Sequence, residues 1–400
     1  LHTAYRRQRQ MCIRDRYNAE EQQIAETGPP IICAPATPTC KDDQRAYNLV
    51  SWNVLSDTVT LPTSTMRACM ASAVCGDEGY RTDEPTKLLE RTVAQLAGKE
   101  AALFCASGTQ ANQLAIHAHL ARCTLPSAVI CDFRAHIHAC EMGGIAYHSR
   151  GTTVPLMPRN QHHLTLKDIQ THCESHGSTY ATRVQVISLE NTLQGMIFPH
   201  DEVQRIATYA REHGIMMHLD GARLWNAMAE TRMSLAELCA PFDTVSLCLS
   251  KGIGAPVGTI LAGSQAMVEH VRCLRKLFGG MMRQTGVLAA AAHQALHENF
   301  QRLFATHVLA RRVAARLQER GARITVPVET NMVFFDMPDN GPDMATLQQR
   351  AASLDPPIRI GLGRLVVHYM TNPSLPERLA SLLATCLLYT SDAADDMQCV

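Results

Sequence analysis

The sequence predicts an α/β fold built around a mostly parallel, buried sheet. Short apolar segments alternate with helical segments from about residue 48 onward, and turn or capping residues separate them. Short apolar strands between helices are typical of parallel sheets that helices cover on both faces. After about residue 320 the pattern changes, which predicts a smaller C-terminal α+β domain.

The predicted elements follow one another along the chain. One helix begins at Pro85-Thr86 and ends before Gly98, and another begins at Ser107-Gly108-Thr109. Asp201 is predicted to cap a helix that Gly214 closes, and a helix-rich stretch covers residues 264–320. Strands are predicted at Ala101–Cys105, Ala128–Cys131, Val184–Leu189, Ile215–Leu219 and Thr244–Leu249. The C-terminal part is predicted to hold strands Ile324–Val328, Met332–Phe335 and Leu365–Tyr369 and a helix over Leu375–Thr385.

Composition excludes several classes of protein. The chain has 400 residues, enough for two domains, and its 37 basic and 37 acidic side chains give no net charge. Nothing in this balance favours binding to nucleic acid or to an anionic membrane. Hydrophobic residues make up 46%, as in ordinary globular proteins, and no apolar stretch approaches the roughly 20 residues of a membrane helix.

Cysteine and histidine are plentiful but show no metal or disulfide pattern. The 15 cysteines are odd in number, and no pair has CxxC spacing, which favours reduced thiols in a cytoplasmic enzyme. The pairs His117/His119, His136/His138 and His162/His163 are the candidate metal ligands. They lack zinc-finger spacing, so no metal site is predicted.

Both ends differ from the middle of the chain. Residues 1–16 are rich in arginine, as in a mitochondrial transit peptide. Residues 11–16 and 386–396, however, resemble translated sequencing-adapter text, and we therefore expect both ends to be artefactual. The predicted organisation is a disordered leader at 1–45, a large domain at 46–300, a small domain at 301–385 and an artefactual tail at 386–400.

Lys251 and Asp220 carry the strongest chemical signal. Lys251 follows an apolar strand within Leu-Ser-Lys-Gly-Ile-Gly-Ala-Pro-Val-Gly (249–258), and Asp220 follows another in His-Leu-Asp-Gly-Ala-Arg (218–223). A lysine amine can form a Schiff base with a carbonyl, and a carboxylate can keep a pyridine nitrogen protonated. Together they suggest pyridoxal 5'-phosphate (PLP). The alternatives are a surface lysine and an aspartate that caps the next helix.

Other candidates come from the same edge of the predicted sheet, where ligands bind in such folds. Glu190, Asp220 and Lys251 each follow a strand closely and should project there. Ser107-Gly108-Thr109 lies between a strand and a helix, where backbone amides can bind an anion, although a plain tight turn is the alternative. His136 could stack on a ring, accept a proton, or be an ordinary loop histidine.

Two further motifs are open to more than one interpretation. Arg223 could neutralise a carboxylate or pair with Asp220. The glycines of 252–258 look loosely like a dinucleotide fingerprint, but their spacing is wrong and Pro256 would interrupt the required helix.

The body of the chain resembles the threonine aldolases, PLP enzymes of the aspartate aminotransferase-like fold. The resemblance rests on several stretches taken jointly. They are 55–63 (LSDTVTLPT), 98–104 (GKEAALF), 107–115 (SGTQANQLA), 135–144 (AHIH…EMGG), 189–192 (LENT), 218–227 (HLDGARLWNA), 249–258 (LSKGIGAPVG) and 279–284 (GGMMRQ).

This resemblance implies a fold, a reaction and a role for each residue. The fold would be a mostly parallel seven-stranded sheet in a large PLP-binding domain. The reaction would be aldol cleavage of L-threonine or L-allo-threonine to glycine and acetaldehyde. Lys251 would bind PLP covalently as a Schiff base, Asp220 would pair with its ring nitrogen and His136 would stack on the ring. The remaining expected ligands are Gly108 and Thr109 for the phosphate, Arg283 for the phosphate of a neighbouring subunit, and Ser56, Arg223 and Arg364 for the substrate carboxylate.

The chain departs from the family pattern in two places. Many members have histidine after Glu-Asn-Thr, where this chain has Leu193, so the base for the substrate hydroxyl would be His136 or a water. The segment 76–86 is one residue longer than usual, which makes the match of Tyr80 approximate. A β-eliminating lyase or racemase, a catalytically inactive structural homologue and a metal-dependent hydrolase are the alternatives. A homodimer or homotetramer is expected.

Overall fold

The computed structural model describes residues 41–123, 126–175, 182–338 and 341–396. Its large sheet has seven strands in the order β1-β7-β6-β5-β4-β2-β3. The strands are β1 (Ala101–Cys105), β2 (Ser127–Asp132), β3 (Thr152–Leu156), β4 (Arg183–Glu190), β5 (Met216–Gly221), β6 (Thr244–Cys248) and β7 (Thr259–Gly263).

The sheet is mostly parallel, which confirms the predicted fold class. Strands β3, β2, β4, β5 and β6 run parallel to one another. Strand β7 is antiparallel to both β1 and β6. The central strands β2, β6 and β7 are buried along their whole length, as expected when helices cover both faces of a sheet.

Helices alternate with these strands. In chain order they are α1 (Lys41–Val50), α2 (Ser64–Ser72), α3 (Glu84–Leu96), α4 (Gly108–Leu120), α5 (His136–Ala139), α6 (Gly144–Ser149), α7 (Leu166–Ser175), α8 (His200–Glu212), α9 (Leu224–Thr231), α10 (Leu235–Cys239), α11 (Gln265–Leu277), α12 (Gly286–Asn299), α13 (Leu303–Gln318), α14 (Met344–Ala352) and α15 (Leu375–Asp396). Short 3-10 turns lie at Asp57–Val59, Glu78–Tyr80 and Phe300–Arg302.

A second, smaller sheet lies in the C-terminal part. Strands β8 (Arg323–Ile324), β9 (Met332–Asp336) and β10 (Arg364–Val366) form an antiparallel sheet in the order β10-β9-β8. Its apolar core includes α13, α14 and α15. Trp52 and Val54, which the sequence prediction assigned to the large domain, pack in this second core.

Several local boundaries differ from the prediction. Helix α1 includes residues 41–45 of the predicted leader, and the rest of the leader lies outside the described residues. Helix α15 continues through Asp396, past the predicted end at 385. Pro199 occupies the cap position of α8, so Asp201 lies in the first helical turn and does not cap the helix. Among the described residues, no helix is long and apolar enough to cross a membrane.

Candidate active site

Three polar side chains meet at the carboxyl-terminal edge of the large sheet. Glu190 ends β4 and pairs in register with Asp220 on β5, and Asp220 pairs with Ser246 on β6. Lys251 follows three residues after the end of β6. All three residues thus lie at or just after the carboxyl ends of neighbouring parallel strands, at one edge of the sheet as predicted. In parallel sheets this edge is the usual place for a ligand.

The loop that carries Lys251 is fixed by its own backbone. The Gly254 amide donates to the Lys251 carbonyl at 2.7 Å, and the Ala255 amide donates to the Leu249 carbonyl at 2.9 Å. Gly254 has a φ of +78°, and a Cβ there would lie 2.5 Å from the Tyr369 ring. Only glycine fits this position, because the backbone is left-handed and the ring leaves no space. Gly254 thus fixes the path of the loop that carries Lys251.

Asp220 is buried, and both of its carboxylate oxygens are held. Oδ1 accepts from the Ala222 amide at 3.0 Å, and Oδ2 accepts from Asn112 Nδ2 at 2.7 Å. Helix α9 begins only at Leu224, with Arg223 in the cap position, so Asp220 does not cap it. A buried carboxylate that accepts two hydrogen bonds can still accept a third from a ligand.

His136 begins α5 beside Asp220. Its Nδ1 lies 2.8 Å from Glu141 Oε1, and its backbone amide donates to Glu190 Oε2 at 2.8 Å. The hydrogen bond to Glu141 raises the pKa of His136 above its ordinary value, against the opposing effect of burial. Ligand atoms of His136, Glu141 and Asp220 lie within 4.8 Å of one another.

These three side chains could ligate a cation, but each is engaged otherwise. Glu141 accepts from Asn112 Nδ2 at 3.0 Å and from Gln113 Nε2 at 2.6 Å. Carboxylates surrounded by N–H donors are arranged as hydrogen-bond acceptors and not as an open metal site. The exposed His138, the partner of His136 in the predicted HxH pair, is not part of this cluster.

Glu190 is a carboxyl group with strongly altered acidity. Burial raises the pKa of Glu190 to about 8, and the neighbouring Asp220 carboxylate acts in the same direction. The His136 amide and Lys251 oppose this shift only in part. The Glu190 carboxyl is therefore mostly protonated at neutral pH, when it can donate as well as accept.

The turn before α4 offers an anion site. Ser107 accepts from the Gln110 amide at 3.1 Å. The amides of Gly108 and Thr109 lie in the first helical turn, where no carbonyl of the same helix can accept from them. Thr259 Oγ1 is buried without a partner among the described residues, and it lies 3.8 Å from where a Gly108 Cβ would be. An unpaired hydroxyl beside a helix N-terminus fits a phosphate group.

The predicted carboxylate-binding residues gather at a neighbouring point. Arg223 binds the fully buried Asp57 through two bonds, Nε to Oδ2 at 2.9 Å and Nη2 to Oδ1 at 2.6 Å. Arg223 thus pairs with Asp57 and not with Asp220, which corrects one of the two predicted alternatives. Arg364 Nη2 donates to the Leu55 carbonyl at 3.1 Å, next to Ser56. Ser56, Arg223 and Arg364 are therefore linked through the segment 55–57.

The Asp57 pair is held ionised inside the protein. Burial alone would raise the pKa of Asp57, but the Arg223 guanidinium lowers it below its ordinary value. Asn331 Nδ2 also donates to Asp57 Oδ2, at 3.3 Å. This bidentate contact uses Nε and Nη2 of Arg223, which leaves Nη1 for another acceptor.

Comparison with known proteins decides the family. The model of the beta-eliminating lyase family matches residues 53–340, more than half of the chain. The chain belongs to the beta-eliminating lyase family.

Individual proteins are similar to this chain over most of their own length. The low-specificity L-threonine aldolase of Candida albicans is 37% identical over 84% of this chain and 89% of its own. The alanine racemase TOXG of Cochliobolus carbonum is 33% identical over 70% of this chain and 74% of its own. A solved structure of Leishmania major threonine aldolase shares the fold, with a TM-score of 0.70 at 21% identity over 84% of this chain and 99% of that chain.

Arg283, one of the predicted site residues of this beta-eliminating lyase family member, lies away from the others. Arg283 is exposed, and its Nη1 lies 3.4 Å from Asp77 Oδ2, while its carbonyl accepts from the Glu78 amide at 2.8 Å. No described contact joins it to the other predicted site residues. Tyr80, in the same 3-10 turn as Glu78, is 78% exposed. The role predicted for Arg283 requires a second subunit and remains a prediction.

Sequence reasoning missed three residues of the site. Asp57, Asn112 and Glu141 each lie within a stretch that carries the family resemblance, but none was assigned a role. One signal was available for Asn112. It lies one helical turn after Gly108 on a helix with a long apolar face, and a polar residue facing a core needs a partner.

Proposed function

We propose that this chain is a PLP-dependent aldolase that cleaves L-threonine and L-allo-threonine to glycine and acetaldehyde. The observation that carries the proposal is the placement of Lys251 after β6, beside Asp220 at the end of β5. Its similarity to the low-specificity L-threonine aldolase of Candida albicans supports the choice of substrate.

The residues present fit PLP. When bound, PLP supplies an aldehyde that a lysine amine can hold and a ring that stores the electrons of a broken bond. Lys251 would hold the aldehyde, Asp220 would accept a hydrogen bond from the ring nitrogen, and His136 would cover the ring. Gly108 and Thr109 would bind the phosphate through their backbone amides, which the helix dipole of α4 supports.

Arg223, Arg364 and Ser56 would orient the substrate by its carboxylate. Arg223 is held rigidly by Asp57, so its free Nη1 is presented in one direction. Arginine binds carboxylates by charge-assisted hydrogen bonds. A carboxylate fixed at this point places the bond to be broken in one orientation, and positioning of this kind contributes a large share of catalysis.

The base for the substrate hydroxyl is assigned to His136. Leu193 is buried and has no group that could carry a proton. His136 uses Nδ1 for Glu141, which leaves Nε2 to exchange a proton with the substrate, directly or through a water. General-base catalysis of this kind contributes roughly 10²–10⁴ in rate.

Cofactor titration with Lys251→Ala tests the proposal. Wild-type protein mixed with PLP should acquire the absorbance band of a lysine-bound cofactor and release acetaldehyde from L-threonine. The Lys251→Ala variant should lack this band and lose essentially all cleavage, because the amine that would hold the aldehyde is removed. A wild-type protein that acquires no such band would refute the assignment.

The similarity to an alanine racemase supports a second candidate, a racemase or β-eliminating lyase on the same scaffold. Product analysis separates the three reactions. Acetaldehyde and glycine from threonine indicate the aldolase, D-alanine from L-alanine indicates a racemase, and pyruvate with ammonia from serine indicates β-elimination. A protein that loads PLP but forms only D-alanine would reject the aldolase and keep the cofactor assignment.

We further propose that the enzyme acts in the cytoplasm as a homodimer or homotetramer, with each site completed by a neighbouring subunit. The cysteines of the described residues are free thiols, which supports a reducing compartment. The exposed positions of Arg283 and Tyr80 support a shared site, because an exposed arginine can bind a phosphate across an interface.

A further inference from the structure

Asn112 lies at the centre of a buried hydrogen-bond network beneath the candidate active site. It is 1% exposed on α4. Its Nδ2 donates to Asp220 Oδ2 at 2.7 Å and to Glu141 Oε1 at 3.0 Å. Its Oδ1 accepts from Ser246 Oγ at 2.6 Å and is 3.1 Å from His218 Nε2. All four hydrogen-bonding positions of the amide are thus used.

The partners fix the orientation of this amide. If its nitrogen and oxygen were exchanged, an oxygen would face the carboxylates of Asp220 and Glu141. Three acceptors would then meet without a proton between them, inside the protein. The observed orientation instead gives each carboxylate an N–H donor. Ser246 and His218 form hydrogen bonds with the amide oxygen, Oδ1.

The proton positions follow through the rest of the network. Because Asn112 Oδ1 only accepts, His218 Nε2 carries the hydrogen, and neutral His218 Nδ1 accepts from Thr244 Oγ1 at 2.9 Å. Thr244 Oγ1 can then only accept from His119 Nε2, at 2.8 Å. His119 Nδ1 is left without a hydrogen, and it is buried without a partner among the described residues, as this assignment requires.

Burial keeps the network uncharged. Burial lowers the pKa of His218 to about 3 and that of His119 to about 3. Both rings are therefore neutral at every pH at which the protein is expected to work, so they do not exchange protons with the site. The network supports Asn112 as a fixed donor and not as a proton path.

Asn112 connects two carboxylates with different tasks. Asp220 is the acceptor expected for the cofactor ring nitrogen, and Glu141 holds His136 Nδ1. Ligand atoms of these three residues lie within 4.8 Å, so the two acids would repel each other without a donor between them. One amide supplies that donor to both acids at once.

We propose that Asn112 is the positioning residue of this site, which holds Asp220 toward the ring nitrogen of PLP and Glu141 toward His136. This inference rests on the proposed cofactor, but it does not depend on which amino acid the enzyme cleaves. Asn112 would not itself touch the cofactor or the substrate. Its side-chain hydrogen bonds are with Asp220, Glu141, Ser246 and His218.

The test measures the dissociation constant for PLP in wild type and in Asn112→Ala, Asn112→Asp, Ser246→Ala and Gln113→Ala variants. Asn112→Ala should weaken PLP binding about 10–100-fold, the effect of losing one hydrogen bond to a charged group. Asn112→Asp should weaken it further, because it sets an acceptor against two carboxylates. Ser246→Ala should give a smaller loss, since His218 still holds the amide.

Gln113→Ala is the matched comparison. Gln113 donates to Glu141 Oε2 and makes no described contact with Asp220, so this variant should weaken PLP binding less than Asn112→Ala does. Both variants should move the acid limb of the pH–rate profile, because each removes an N–H donor that fixes Glu141 against His136. A residue that served packing alone would lower the melting temperature without changing this limb.

The outcomes separate the inference from the proposed function. If wild type binds no PLP, the proposed function fails. If wild type binds PLP and folded Asn112→Ala binds it within twofold of wild type, only the role of Asn112 is overturned. If the Asn112 variants do not fold, the PLP affinity of Ser246→Ala tests the role of Asn112 instead. A several-fold weaker PLP complex at an unchanged melting temperature supports the role, and unchanged affinity overturns it.

Discussion

Glu141 gives His136 a property that its place in the sequence does not reveal. His136 Nδ1 is 2.8 Å from a carboxylate that is itself fully buried, and this contact raises the pKa of the imidazole. It also fixes the ring tautomer, with the hydrogen on Nδ1 and Nε2 left for another partner. A histidine whose pKa is raised and whose ring is held in one orientation is suited to exchange protons with a substrate.

Replacing Glu141 should change the pH dependence of the enzyme. In Glu141→Gln the charge that raises the pKa of His136 is lost, while burial, which lowers it, remains. His136 then loses its proton at lower pH, so the acid limb of the kcat/KM profile should move to lower pH. The value of kcat should fall about 10–100-fold, because the ring is held less firmly.

The control for this variant is His138→Asn, in the same short helix. His138 is exposed and lies outside the cluster of His136, Glu141 and Asp220, so its profile should coincide with that of wild type. An acid limb that stays in place in Glu141→Gln would mean that His136 does not set it.

The sequence predicts some residues of the site better than others. Lys251, Asp220 and His136 could be found because each directly follows a strand or lies next to one. The partners of Asp57 and Asn112 could not, because they are far away in sequence: Asp57 meets Arg223 across 166 residues, and Asn112 meets Asp220 across 108. Long-range partners of polar residues depend on strand order, which local patterns do not reveal.

Strands β4 and β5 end in two acids placed side by side. Glu190 and Asp220 are in register, and burial together with the Asp220 charge raises the pKa of Glu190 to about 8. A carboxyl group whose pKa is raised by folding contributes stability that is fully present below its unfolded pKa near 4.5. That contribution is lost as the pH rises through about 8.

The free energy of unfolding should therefore fall between mildly acidic and mildly alkaline pH. Glu190→Gln keeps an oxygen that can accept from the His136 amide but cannot ionise, so this decline should be weaker. At pH 9 the variant should exceed wild type by on the order of 1–3 kcal/mol. Urea unfolding at pH 5, 7 and 9 measures this, with exposed Glu212→Gln as a control. Equal pH slopes in wild type and Glu190→Gln would contradict the assignment.

Strands on the inside of the sheet were predicted well, and two others were missed. The five predicted strands of the large sheet all exist, with ends within about two residues. Strand β3 was missed because it lies at the edge, is only partly buried and contains Pro155. Strand β7 was missed because it is only five residues long and directly follows the glycine-rich segment that ends at Gly258.

At the scale of the whole molecule, the site is incomplete within one chain if Arg283 has its predicted role. Arg283 and Tyr80 lie on adjoining exposed segments, connected by the bond from the Glu78 amide to the Arg283 carbonyl. The half-buried Arg272 anchors this turn through the buried Glu78. An exposed turn that is anchored from beneath is a suitable means of presenting side chains to another subunit.

Mixing two inactive variants tests whether sites are shared. Lys251→Ala should be inactive because it lacks the lysine, and Arg283→Ala should lose most PLP affinity because it lacks the phosphate ligand. In a hybrid of the two, one site carries both changes and the other carries neither. Subunits exchanged at random in equal amounts should therefore regain about one quarter of the wild-type activity.

The recovery should depend on subunit exchange. Variants mixed after brief unfolding and refolding together should recover activity, whereas the same variants refolded separately and mixed cold should recover none. A mixture that stays inactive after refolding together, although size measurements show hybrid oligomers, would place Arg283 in the same chain as the lysine it serves. Arg283 must otherwise act across the interface, because a residue that acted only within its own subunit would leave every hybrid site with a defect.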